Sequence, residues 1–155
     1  MDEKALIVLR ADVKGQMDLI DDVFTKLTAR AVDLQADDEV QLESAAYQMH
    51  NLYSAVEDLF KLIASQFENQ VADVSRWHIE LLQRMKQEIP GVRPALVSPE
   101  TFNLLNGLRS FRHFFRHAYT APIEFDQLQI NLDKAQQVHS SLHKDVSLFL
   151  ERIGV

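Results

Sequence analysis

The segment RSFRHFFRHAY, Arg109 to Tyr119, places three arginines, two histidines and a tyrosine in eleven residues of a chain whose formal net charge is -7. It contains neither an acidic residue nor a lysine. A face that serves only solubility normally mixes both signs of charge. Guanidinium groups bind phosphate through paired, directional hydrogen bonds that an ammonium group does not offer. An arginine-only cluster in an acidic protein therefore points to phosphate recognition. Histidine beside it is the side chain whose ordinary pKa lies near neutrality, which suits it to moving protons.

Three chemistries compete for this segment. A helix turns by about 100° per residue, so with Arg112 at zero, Arg116 falls near 40°, Arg109 near 60° and Tyr119 near 340°. His113 follows at about 100° and His117 at about 140°, while Leu104, Leu108, Phe111, Phe114, Phe115 and Ala118 spread over roughly 200° to 320°. This geometry predicts an apolar face in a core and an opposite face offering arginines, imidazoles and a phenol to solvent or a partner. The plainest reading is a solvated face whose cations interact with a helix C-terminus. Zinc is the second, because His113 and His117 have the i, i+4 spacing of a shared metal. Phe114 stands where HExxH metalloproteases carry their glutamate, no third ligand is evident nearby, and the arginines would repel the ion, so no metal is assigned. The third is metal-free RNA cleavage. A histidine would move the proton of the ribose 2′-hydroxyl or of the leaving oxygen, and an arginine would steady charge on the phosphate. Arg112 and His117 supply both parts, and His113, or His117 of a second subunit, would complete an acid–base pair.

The elements that must position this segment are helices. Apolar residues at Leu6, Leu9, Val13, Met17, Ile20, Phe24, Leu27, Ala31 and Leu34 step by three and four, which predicts one long amphipathic helix interrupted only by Gly15. QADDE marks the turn. Leu42, Ala45, Met49, Leu52, Val56, Leu59, Ile63 and Phe67 repeat the rhythm, and a shorter helix is expected over Arg76 to Glu88. Pro90, Gly91, Pro94 and Pro99 crowd the next connection. Ser98 reads as an N-cap with Pro99 at the first helical position, opening a helix that carries the basic motif and ends near Tyr119. Pro122 lies in the following connection, and Asp126 with Gln129 resembles a capping box for the last helix, whose stripe is Leu128, Leu132, Ala135, His139, Leu142, Val146, Phe149 and Ile153. His139 is the polar guest of that stripe and is read as a hydrogen-bonded interior or interface histidine. His50 and Trp77-His78 could line a pocket, with the tryptophan read first as a packing anchor. The expected fold is all-α, an antiparallel up-and-down bundle of four long helices plus one shorter helix, forming a single domain over residues 1–155.

Composition narrows the function classes. With 155 residues, 46% hydrophobic and 25% charged, the chain matches an ordinary globular protein. The absence of cysteine excludes disulfides and thiolate metal sites and fits a cytoplasmic setting. The start MDEKALIVLRAD lacks the positive charge of a secretory signal, and its apolar run is too short to span a bilayer. Overall acidity argues against sequence-blind nucleic-acid binding over the whole surface, so any contact with RNA must be local.

Arg112, His117 and Tyr119 spell R-x4-H-x-Y, and this resembles the signature of HepT-like toxins in the HEPN superfamily. The likeness extends from about Tyr47 to the C-terminus through YQMHNLYSAVEDLFKLIA, WHIELLQRM, GVRPALVSPET and RSFRHFFRHAY. The resemblance implies an endoribonuclease toxin that uses no metal or cofactor and acts on cellular RNA, tRNA among the candidates. It implies a homodimer in which the two motifs meet, with Arg112 and His117 catalytic and His113, Arg109 and Arg116 supporting them or binding RNA. The implied partner is a minimal nucleotidyltransferase antitoxin that adds AMP to the tyrosine, here Tyr119. Such a modification would set a phosphate and a base on the arginine stripe. The alternative is a non-catalytic HEPN-type module that binds a nucleotidyltransferase or nucleotide through the same face. A helical adaptor docking an acidic partner is a third possibility.

Overall fold

The computed structural model describes residues 1–68, 77–117 and 121–154. Arg76, Tyr119 and the side chains of Trp77 and His117 lie outside the described residues. The described chain forms five α-helices: α1 (Glu3–Arg30), α2 (Glu39–Phe67), α3 (Trp77–Lys86), α4 (Pro99–His117) and α5 (Phe125–Arg152). This is the all-α bundle that the apolar periodicity predicts. No described helix is long and apolar enough to cross a membrane.

The stripe of α1 buries Leu9, Val13, Met17, Ile20 and Leu27. Each such burial contributes about 1.5–3 kcal/mol, against about 1 kcal/mol lost by having glycine at position 15, so the helix continues through it. Asp2 caps its start by accepting from the Ala5 N–H at 2.7 Å. α1 stops at Arg30, earlier than Leu34, because the side chain of Gln41 closes the turn. Gln41 donates to the carbonyls of Val32 at 2.7 Å and Arg30 at 3.3 Å, and accepts from the Gln35 N–H. Asp38 then caps α2 through the Gln41 N–H.

Cross-helix contacts give the directions. Gln16 reaches the carbonyl of Ala55, so α1 and α2 are antiparallel. Glu57 of α2 and Glu68, which caps its C-terminus, meet His78 and Arg84 of α3 in the same order, so α3 runs along α2 in the same direction. The hairpin after α3 is closed by a buried arginine. Arg93 donates to the carbonyls of Arg84, Gln87 and Pro94 and to Glu68, while the Leu96 and Val97 N–H groups bond the Met85 carbonyl. These bonds satisfy the C-terminal carbonyls that a helix end leaves open.

Ser98 caps α4 as its position predicts, accepting from the Thr101 N–H at 3.2 Å. Its own N–H and hydroxyl bond Asp145 of α5 at 2.9 and 3.0 Å, and buried Thr101 bonds Ser141. α4 and α5 are thus antiparallel and joined firmly where α4 begins. α5 starts at Phe125, and its N-cap Glu124 makes no side-chain capping bond. Asp126 therefore lies inside the first turn, where its charge suits the helix dipole, rather than at a capping box. Phe125 and Ile123 pack against the core and set this earlier start. In α5 the core position beside His139 is taken by Val138, and His139 lies at the edge of the buried stripe.

Candidate functional site

The buried residues of α4 are Thr101, Leu105, Leu108 and Phe111. On the same angular scale they span about 260° to 20°, so the core-facing arc is rotated by roughly 60° from the one drawn through the phenylalanines. Two expectations fail for this reason. Phe114, assigned to the apolar face, is 47% exposed. Arg112, assigned to the outward face, lies inside the arc with its side chain 12% exposed. The first turns of α4, locked to α5 through Ser98 and Thr101, fix the rotation of the whole helix. The motif at the other end inherits it. Arg116 and His113 remain exposed, and Arg109 is half-buried, donating from Nε and a terminal nitrogen to Asn106 Oδ1 at 3.2 and 3.0 Å.

Arg112 is received by a polar stripe on α2. Its guanidinium carbon stands 5.8 Å from the centre of the Tyr53 ring, within cation–π range. A terminal nitrogen lies 3.7 Å from Glu57 Oε1, an ion pair longer than a hydrogen bond. The other oxygen of Glu57 sits 2.6 Å from His78 Nδ1. One carboxylate, almost wholly buried, thereby ties α2 to both α3 and α4.

Three polar atoms near this junction have no hydrogen-bond partner among the described residues: Arg112 Nε, Tyr53 Oη and His50 Nδ1. Burial, and after it the charge of Glu57, pushes the Tyr53 phenol far above its ordinary range against the opposing pull of Arg109 and Arg112. His50 is shifted the other way. Burial, then the charges of Arg112 and Arg116, lower its pKa despite a bond with Asn51 that favours the proton. Its ring lies 6.0 Å from that of Phe115. A neutral imidazole and a neutral phenol therefore flank the guanidinium.

A family model described as HepT-like protein matches residues 44–153. The chain belongs to the HepT-like family. No curated protein and no solved structure matches it. The matched span begins inside α2 and takes in every residue of the Arg112 junction, whereas α1 of this HepT-like chain lies outside it.

Of the residues singled out in the sequence, Arg109, Arg112, His113 and Arg116 lie on α4 as expected, and His117 is its last residue. The His117 side chain and Tyr119 lie outside the described residues. His50 and His78, held in reserve as pocket residues, both border the junction. Tyr53 and Glu57 carry it and were not among the sequence candidates. A signal was present: His50, Tyr53 and Glu57 step by three and four, a polar stripe running beside the apolar one on α2.

Proposed function

We propose that this HepT-like chain is an endoribonuclease toxin acting on cellular RNA without a metal. In this reading Arg112 binds the scissile phosphate and steadies the charge that gathers on it as the ribose 2′-hydroxyl attacks. His117 transfers a proton, either taking it from that hydroxyl or giving it to the departing 5′-oxygen. His113, or His117 of a second subunit, supplies the complementary step, and Arg109 and Arg116 hold neighbouring phosphates. The observation that carries the proposal is the setting of Arg112. A guanidinium is oriented by Tyr53 and Glu57, has no hydrogen-bond partner for Nε among the described residues, and sits five residues before His117 in a chain of this family. Pre-orientation of this kind lets an arginine meet developing charge without reorganising.

Phe114 bears on the assembly. A large apolar side chain exposed beside the motif is what a homodimer bringing two motifs together would cover. A minimal nucleotidyltransferase would silence the site by adding AMP to Tyr119, and the added phosphate would compete for the same arginines.

Purified protein should cleave RNA with a chelator present, and Arg112→Ala and His117→Ala should each lower the rate by at least about 100-fold while helical circular dichroism is unchanged. Cleavage retained by both variants refutes the assignment. Co-expression with a minimal nucleotidyltransferase should add the mass of AMP to Tyr119, and a Tyr119→Phe chain should escape neutralisation. If the phenylalanine variant is still silenced, Tyr119 is not the regulated residue.

One observation favours a second reading. An arginine paired with a buried carboxylate is also how a structural arginine is held. A non-catalytic module binding a nucleotidyltransferase or nucleotide would keep this junction, show no cleavage, and leave growth unaffected on induction alone.

A further inference from the structure

Away from the helices that form the Arg112 junction, α1 and α5 bring together three groups that no step of the proposed reaction uses. Asp21 Oδ1 lies 2.9 Å from His139 Nε2 and 2.6 Å from His143 Nε2. The histidines are four residues apart on α5, so their rings project from one face in consecutive turns. Those rings stand edge to face, with centroids 4.9 Å apart and planes at 72°, and both Nε2 atoms converge on one carboxylate oxygen. Phe24 of α1 stacks on His139 at 4.0 Å with planes 5° apart, which fixes the orientation of that imidazole. All three ligand atoms lie within 4.8 Å of one another.

We propose that Asp21, His139 and His143 form a binding site for a zinc-class divalent cation, with three protein ligands and the remaining position open to water or a further ligand. Two imidazoles and one carboxylate are a ligand set that zinc takes up with bonds of about 2.0–2.2 Å, which place tetrahedral ligand atoms roughly 3.3 Å apart. The observed separations of 2.6 and 2.9 Å are a slightly contracted version of that triangle, and an ion entering it needs only an outward shift of about half an ångström at each partner. Each imidazole offers the Nε2 lone pair once its proton resides on Nδ1. Asp21 supplies the third ligand through the carboxylate oxygen that both imidazoles already face. All three side chains are between 31% and 42% exposed, which leaves an ion a path from solvent.

The site is distinct from the motif of α4 in position and in charge. The histidine pair His113 and His117 shares the same spacing, but arginines flank it. His139 and His143 instead face an aspartate from another helix. Nitrogen donors favour zinc over magnesium or calcium, which select oxygen.

The test uses untagged full-length protein, stripped of metal, and zinc alone as the probe in titration calorimetry. The expected result is one zinc per chain with a Kd on the order of 1 μM or tighter. His139→Ala, His143→Gln and Asp21→Asn should each weaken binding by at least about tenfold, with magnesium failing to compete. Cobalt in place of zinc should give the intense visible absorption of a four-coordinate site in the wild type and lose it in His143→Gln. Zinc should raise the melting temperature of the wild type and not that of a His139→Ala/His143→Gln double variant, a comparison that separates metal binding from the stability of the hydrogen bonds themselves. Zinc binding that survives in the double variant, or that is missing in the wild type, overturns the proposal. Because RNA cleavage is measured with chelator, it can fail or succeed independently of this result.

Discussion

Glu57 and Asp21 each hold two cationic or imidazole partners, and they do so in opposite ways. Glu57 is buried and divides its partners, giving one oxygen to Arg112 and the other to His78. Asp21 is partly exposed and gathers both of its histidines on a single oxygen. The first arrangement spreads charge and ties three helices together. The second concentrates donors at a point that solvent can reach. Burial sets the cost of breaking each arrangement, not its pattern, since buried Glu68 also gathers Arg84 and Arg93 on one oxygen: a buried guanidinium without its counter-ion is costly, so Glu57 acts as a strut. Water can stand in for either partner of Asp21, and its cluster is free to serve something other than stability.

Removing the carboxylates one at a time should break this comparison most sharply. Glu57→Ala is expected to cost about 3 kcal/mol in urea unfolding, because it strands Arg112 in the arc that faces the core. Asp21→Ala should cost less than about 1 kcal/mol, as exposed pairs do. Equal losses in the two variants would show that burial does not separate the sites. Acid titration sharpens the comparison next. The depressed pKa of His50 means that the unfolded chain takes up a proton that the folded chain resists, so stability should fall as pH drops through its ordinary value of 6.5. A His50→Gln chain should show a flatter profile there. Asp21, lowered from 3.8, contributes stability that is present above that value and is lost only as pH falls through its lower folded pKa. The two regions should therefore fail at different acidities, and coincident loss near neutral pH in both His50→Gln and wild type would contradict the account. The smallest effect is expected for Tyr53→Phe. Its buried hydroxyl has no partner among the described residues, so deleting it should change stability by less than about 1 kcal/mol in either direction. A larger loss in thermal unfolding would reveal that the hydroxyl is bonded after all.

These contrasts also mark what could be read from the sequence. The five helices and the Ser98 cap were legible, because apolar spacing and capping chemistry are local. The rotation of α4 was not. Its C-terminal half carries three phenylalanines that pull the apparent apolar face toward Phe114, while the bonds that set the true face run from Ser98 and Thr101 to α5. The partners of Arg112 escaped for a related reason: Glu57 lies on a different helix and reads locally as one acid among many. Asp21 and His139 are 118 residues apart, and no periodicity connects them. What stood out was His139 alone, as a polar guest, although its companion at 143 and the carboxylate opposite give it its meaning. Arg109, Arg112, His113 and Arg116 were legible as a cluster because they share one short helix end.

The bonds at the start of α4 carry one more consequence. Ser98 and Thr101 clamp that end to Asp145 and Ser141, whereas the far end rests on α2 through Arg112. Mechanically α4 is a cantilever, fixed at its root and propped near its tip. A load applied at the tip, whether a bound polynucleotide or a docked protein, bends against the prop rather than the root. The stiffness of the motif thus depends on Glu57 of the neighbouring helix together with Phe111 and Phe115, which pack that end against the core, and softening the carboxylate prop would loosen the tip before the root.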